Sequence, residues 1–111
     1  MSRYDLIVIG GGSAGLVVAG GAAQLGARVA LVEKKALGGD CLYTGCVPSK
    51  TLIRSARFAA DVRRAEDFGF APTSLEFNEG QFASITARVG RVIQTVGEHD
   101  KPERFEAWAL R

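Results

Sequence analysis

Apolar and polar positions divide the chain into two kinds of segment. Near the N-terminus the apolar residues run together. Tyr4-Asp5-Leu6-Ile7-Val8-Ile9 is short, rich in β-branched residues and stopped by glycine, which predicts a buried strand. Arg28 to Glu33 is a second run of strand length. Between them, Ser13 to Leu25 offers Leu16, Val17, Ala19, Ala22, Ala23 and Leu25 for packing along a helix, with Gly26 as its C-terminal stop. Strand, helix and strand in about thirty residues make a βαβ unit, whose crossover is right-handed in nearly all cases. Nearly continuous apolar strands also imply a parallel sheet covered on both faces, and one βαβ unit does not supply that cover.

Further along, the period changes. After a glycine turn at Gly38-Gly39, Ser49 to about Glu66 is expected to be helical. Leu52, Ile53, Ala56, Ala59, Ala60 and Val62 give it a mixed apolar face, and Gly69 and Pro72 mark its end. A third helix is expected from Asn78, which stands at capping-box spacing from Gln81. Phe82, Ile85, Val89, Val92, Ile93 and Val96 then recur at three- and four-residue steps, a stripe suited to packing against a core. The sequence has no internal repeat, linker or low-complexity tract.

With 111 residues the chain is one domain at most, and its core is modest. The apolar share of 47% and charged share of 23% suit a soluble globular protein. A net charge of +2, with Lys and Arg scattered, gives no support to a nucleic-acid surface. Glycines interrupt the longest apolar stretch, Leu6 to Val18, so it is not read as a membrane span. No basic segment and cleavage site open the chain, so the expected location is the cytoplasm.

Gly10-Gly11-Gly12-Ser13-Ala14-Gly15 fits G-x-G-x-x-G between a strand and a helix. Gly10 permits the tight turn, Gly12 lets backbone approach a pyrophosphate, and Gly15 lets helix pack on strand. The amides and positive end of the helix then face the phosphates. Glu33 follows Gly15 by eighteen residues, where a carboxylate can accept from a ribose diol. A solvated strand-ending Glu is the plainer alternative. An acid at this position opposes a 2′-phosphate but does not choose between FAD and NAD.

The chain has two cysteines, Cys41 and Cys46, with four residues between them. A bridge over so small a loop is worth only roughly 2 kcal/mol of chain entropy, so it makes a poor staple. Two thiolates are half a zinc set and His99 lies far along the chain, so no metal site is expected. Two inert thiols remain an alternative to a redox pair. For the redox reading, Cys46 lies just ahead of Pro48, a residue that suits a first helical turn. Such a helix start, with Lys50 nearby, would favour a thiolate at Cys46.

The glycine run, Glu33 and Gly38-Gly39-Asp40-Cys41-Leu42-Tyr43-Thr44-Gly45-Cys46-Val47-Pro48-Ser49-Lys50 resemble the class I pyridine nucleotide–disulfide oxidoreductases. The Val47-Pro48-Ser49-Lys50 ending is closer to the dihydrolipoyl dehydrogenase and mercuric reductase branch than to glutathione reductase, and His99 to Phe105 resembles mercuric-reductase-like members. The resemblance covers essentially residues 1–107. It implies an α/β fold: part of a Rossmann-like FAD-binding domain, a βαβ unit followed by helices carrying the CxxxxC motif.

The implied chemistry runs from NAD(P)H through FAD to the Cys41–Cys46 disulfide. Cys46 would be the flavin-facing sulfur and Cys41 the interchange thiol that meets a small-molecule or small-disulfide acceptor. Lys50 would lie near the reactive part of the flavin. Gly10, Gly12, Ser13, Ala14, Gly15, Glu33, Lys34, Gly39 and Asp40 would join these three in binding the cofactor. Asp40 stands where the family usually has Thr, and its charge would repel phosphate unless it points away or binds through water or a cation.

The family also has an NAD(P)H domain and a dimerisation domain, the latter with a His–Glu pair that His99 does not replace. The expectation is therefore an incomplete fragment, from a truncated or frame-disrupted gene or as one part of a longer protein, with residues 108–111 as an atypical tail and Trp108 exposed. The full-length family forms homodimers. Two rival functions are a non-catalytic remnant and a small nucleotide-binding thiol redox sensor.

Overall fold

The computed structural model describes residues 3–106. The atypical tail at 108–111, with the exposure expected of Trp108, lies outside the described residues. In chain order the elements are β1 (Leu6–Ile9), α1 (Ser13–Gln24), β2 (Val29–Val32), α2 (Gly39–Tyr43), α3 (Cys46–Arg63), α4 (Glu79–Gly97) and α5 (Pro102–Glu106). Single 3-10 turns at Ala65–Phe68 and Glu98–Asp100 follow α3 and α4.

β1 and β2 pair in parallel, Leu6 opposite Val29 and Ile9 opposite Val32. Both strands are shorter than their apolar runs. Just before them, the Asp5 amide donates to the Arg28 carbonyl at 2.8 Å and the two side chains pair as well. Arg28 donates from its amide, Nε and guanidinium to the Asp5 carboxylate at 2.8, 3.2 and 3.1 Å, which holds Asp5 below the usual carboxylate range.

The core is small, as the length predicts. Leu16 and Ala19 of α1, Val29 of β2 and Phe105 of α5 are its buried members. Leu6, Val8, Ala22, Ala23, Ala27, Leu31 and Leu37 pack around them. Burying a side chain the size of Phe105 contributes on the order of 1.5–3 kcal/mol, so α5 is a real part of this layer. All of it lies on one face of the sheet. On the other face Ile7, Ile9 and Val32 are exposed, Ile9 by 86%. Val17 and Leu25, expected to pack, are exposed as well. The βαβ unit covers one side only.

α3 and α4 pack against each other as an elongated pair. The capping box is present: Asn78 Oδ1 accepts from Gly80 and Gln81 amides at 2.9 and 3.3 Å, and Gln81 Oε1 accepts from the Asn78 amide at 3.1 Å. The α4 stripe does not reach a full core. Ile85, Val89, Val92 and Ile93 are half-buried and Phe82 is exposed. A groove of about 750 Å³ between the helices is lined by Leu52, Phe58, Leu75, Phe77, Phe82 and Ile85, among others. The radius of gyration is 20.2 Å, against about 13 Å for a compact domain of this length. No helix among the described residues is long and apolar enough to cross a membrane.

Candidate functional site

The loop from β1 to α1 is shaped by glycine at positions where a side chain has no room or no permitted conformation. Gly10 sits at φ +105°, in the left-handed region that other residues avoid. A Cβ on Gly15 would overlap the Gly10 carbonyl oxygen, so Gly15 sets how closely α1 approaches β1. Gly12 is the N-cap of α1, and no side chain caps the helix there. The first helical bond runs from the Leu16 amide to the Gly12 carbonyl at 2.9 Å. The first turn, Ser13 and Ala14 included, therefore presents amides without intrahelical acceptors. Both residues are exposed.

The segment after β2 folds back onto this loop. Glu33 Oε2 accepts from the Gly11 amide at 2.7 Å, and Oε1 accepts from the Lys35 amide at 2.8 Å. These two backbone bonds, Gly11 first, hold the Glu33 carboxyl below its ordinary range. The Gly38 amide donates to the Gly11 carbonyl at 2.8 Å. Gly39 then starts α2 at φ +58°, where an added Cβ would lie 2.7 Å from Gly12 Cα. Gly38 and Gly39 were expected as a turn only. They are a turn that launches the short helix carrying Asp40 and Cys41.

The arrangement brings most of the predicted residues together. Gly10, Gly12, Ser13, Ala14, Gly15, Glu33, Gly39 and Cys41 surround one loop, and Cys46 joins through Cys41. α3 begins at Cys46, three residues before the expected start, so Pro48 sits in its first turn. Gly45 makes the approach of α2 to α3 possible, since a Cβ there would stand 2.9 Å from the Asp40 carbonyl oxygen. Lys34, Asp40 and Lys50 are exposed around this centre. A charge from Lys34 reaches Glu33, and one from Lys50 reaches Cys46. The residues fit a nucleotide diphosphate: the cradle is backbone only, no side chain caps the helix behind it, and an ionised acid stands at its rim.

The two thiols are free and lie within hydrogen-bonding reach of each other. Their acidity runs opposite to the expectation. Hydrogen bonds from Cys46 and then from Ser13 hold the Cys41 thiol below its usual range. Cys46 is pushed up by that same bond and by the charge of Cys41, and the smaller pull of Lys50 does not reverse this. The pairing of the sulfurs therefore outweighs the helix-start argument. Cys46 is exposed and Cys41 half-buried.

Two neighbours of the site have no local signal in the sequence. Asp100 lies against Gly38, where an added Cβ would be 3.2 Å from its carboxylate, and its charge raises Cys41 slightly. Leu42 is buried below the Gly38 turn. Only the return of the chain along α4 brings Asp100 there. His99 does not face the thiols as a base would. Its Nδ1 meets the Arg104 guanidinium at 2.6 Å.

Comparison with known proteins gives one consistent result. The family described as pyridine nucleotide-disulphide oxidoreductase matches residues 4–106. A dihydrolipoyl dehydrogenase of Bacillus subtilis is 49% identical over 82 residues, 72% of this chain and 17% of the relative. That of Zymomonas mobilis is 38% identical over 105 residues, 91% of this chain and 22% of the relative. A glutathione reductase of Yarrowia lipolytica is 48% identical over 68 residues, 61% of this chain and 14% of the relative. Among solved structures, the Cu(II) complex of the HOCl-induced flavoprotein disulfide reductase RclA from Escherichia coli superposes with a TM-score of 0.68 at 25% identity. It covers 96% of this chain and 21% of that one. The chain thus spans about a fifth of the length of the relatives it matches.

Proposed function

The chain belongs to the pyridine nucleotide-disulphide oxidoreductase family, and from that premise we propose that it is the FAD-holding, dithiol-bearing part of a disulfide oxidoreductase. When bound, FAD would carry two electrons from NAD(P)H to the Cys41–Cys46 disulfide. Residues 1–107 are read as the N-terminal part of the FAD domain. In this proposal the enzyme would also need nicotinamide and dimerisation domains, and the chain spans about a fifth of its relatives' length. A small-molecule or small-disulfide acceptor, a homodimer and a cytoplasmic location belong to the same proposal.

In this reading the backbone at Gly10, Gly12, Ser13, Ala14 and Gly15 binds the diphosphate. Glu33 accepts from ribose hydroxyls, with Lys34, Gly39 and Asp40 alongside. Cys46, exposed at the start of α3 with Lys50 one turn on, is the sulfur a flavin ring would cover. Cys41 suits the interchange role because its neighbours favour the thiolate, the attacking form. The Cys41 thiolate attacks one sulfur of an external disulfide, whose S–S bond breaks and whose leaving thiolate takes a proton. Cys46 then loses its proton and displaces the second thiol, closing the Cys41–Cys46 bond.

The observation that carries this reading is the approach of Gly39 to Gly12. It starts the dithiol helix against the cradle, so one extended dinucleotide could reach both. Titrating the purified chain with FAD, and with FMN, which lacks the AMP moiety and so the diphosphate, tests it by flavin fluorescence. FAD is expected to bind in preference to FMN, and Gly15→Val to abolish the difference. Equal binding of the two flavins, or sulfurs that oxidise only between chains, would overturn it. The uncovered apolar faces favour a second reading, a non-catalytic remnant that does not hold FAD. An intrachain disulfide formed with no affinity for FAD would point to the thiol sensor.

A further inference from the structure

Gly11 is held at both of its backbone polar atoms by the segment that follows β2. Its amide donates to Glu33 Oε2 at 2.7 Å, and its carbonyl accepts from the Gly38 amide at 2.8 Å. The preceding residue is fixed too, since the Gly10 amide donates to the Val32 carbonyl at 2.8 Å. The other Glu33 oxygen accepts from the Lys35 amide at 2.8 Å, which fixes the carboxylate itself. Gly11 is buried and Glu33 half-buried. A Cβ on Gly11 would stand 3.2 Å from the Glu33 Cβ, so the two residues are already in contact. The strand end and the glycine loop are therefore tied together by the chain's own groups.

We propose that Glu33 is a positioning residue of the glycine loop, its carboxylate pinning the Gly11 amide so that the diphosphate cradle is formed before any nucleotide arrives. This rests on the reading of the loop as a nucleotide cradle and adds a second role to the acid at its rim. The two roles are compatible. Each carboxylate oxygen has spent one lone pair on a backbone amide and keeps another for a ribose hydroxyl. A glutamine cannot do the same. Its single oxygen satisfies one amide, and its NH₂ group leaves the other facing a donor.

The discriminating experiment compares the wild-type chain with Glu33→Gln in two ways. Without ligand, hydrogen exchange of the Gly11 amide is followed by NMR. With ligand, the affinities for ADP and for inorganic pyrophosphate, which has no ribose, are measured. A pinned loop predicts exchange at Gly11 about tenfold faster in the variant, and a loss of about tenfold for both ligands. Unchanged exchange at Gly11 both in Glu33→Gln and in Glu33→Ala, which keeps no acceptor, overturns the proposal. So does a variant weakened toward ADP but not toward pyrophosphate, because a ribose contact alone explains it.

Should the wild-type chain bind neither ligand, the nucleotide reading fails, and the exchange comparison still decides the role of Glu33. Should Glu33→Gln not fold, the wild-type Gly11 amide shift is followed as the pH is lowered. It must titrate with the Glu33 carboxyl, and a flat response overturns the proposal. Lys34 is the charged neighbour of that carboxyl, with Lys35 and Glu106 lining the same cleft.

Discussion

The neighbouring Cys46 and then Ser13 hold the Cys41 thiol below its usual range, whereas pairing with Cys41 pushes Cys46 up. The unfolded chain gives both sulfurs the ordinary thiol pKa, about 8.5. For Cys41 the folded value is lower, so its contribution to stability is complete above that range and is lost as pH falls through the folded value. For Cys46 the folded value is higher, so its contribution is present below the ordinary range and lost as pH rises through the folded value. Alkylation with iodoacetamide, mapped by peptide mass spectrometry, should therefore modify Cys41 first as pH rises. Ser13→Ala should move the Cys41 onset to higher pH, with Ser13→Thr restoring it, and Asp100→Asn should move it lower. Equal onsets for the two sulfurs would contradict the assignment. At this scale the glycines, Glu33 and the cysteine pair were legible because each acts within a short stretch of sequence. Asp100 was not, because it reaches the site only after the chain has turned back. The inverted thiol acidities were not, because they depend on how α2 and α3 set two neighbouring sulfurs against each other.

α2 exists because Gly38 and Gly39 adopt positive φ and place five residues against the cradle. A helix of one turn and a half has too few positions for a hydrophobic period, so Gly39 to Tyr43 reads only as punctuation. The same reason hides α5, whose Phe105 completes the core. The longer elements were read correctly in kind because their spacing repeats. α3 starts early because Pro48 needs no amide bond in a first turn, so helical geometry extends back to Cys46. This hinge between α2 and α3 is where the dithiol is most easily disturbed. Gly45→Ala would put a methyl group 2.9 Å from the Asp40 carbonyl oxygen and 3.3 Å from Cys41 Cα. Forcing that contact should cost about 1–3 kcal/mol. The helices should part, and formation of the Cys41–Cys46 disulfide in a redox buffer should become less favourable. A disulfide equilibrium equal to wild type would show that the turn absorbs the methyl.

Across the whole molecule, the dimensions of 69 × 28 × 18 Å come from the α3–α4 pair standing away from the βαβ layer. The apolar strand runs signalled a sheet needing cover on both faces, and Ile7, Ile9 and Val32 show the uncovered one. The extension itself had no sequence signal, because a stripe such as Ile85 to Val96 looks alike whether it meets one helix or a full core. Solution scattering from the monomeric chain should give a radius of gyration near 20.2 Å rather than the compact value. Strong binding of an apolar dye should accompany it, since patches of this kind are rarely left open on a monomer. A compact particle that ignores the dye would mean that the helices fold down over the sheet. Phe105 carries a consequence for synthesis. The layer built from Leu16, Ala19 and Val29 lacks its fourth buried member until almost the last described residue has been added. A nascent chain stalled on the ribosome before that point would hold β1, α1 and β2 half-closed and open to chaperones and proteases.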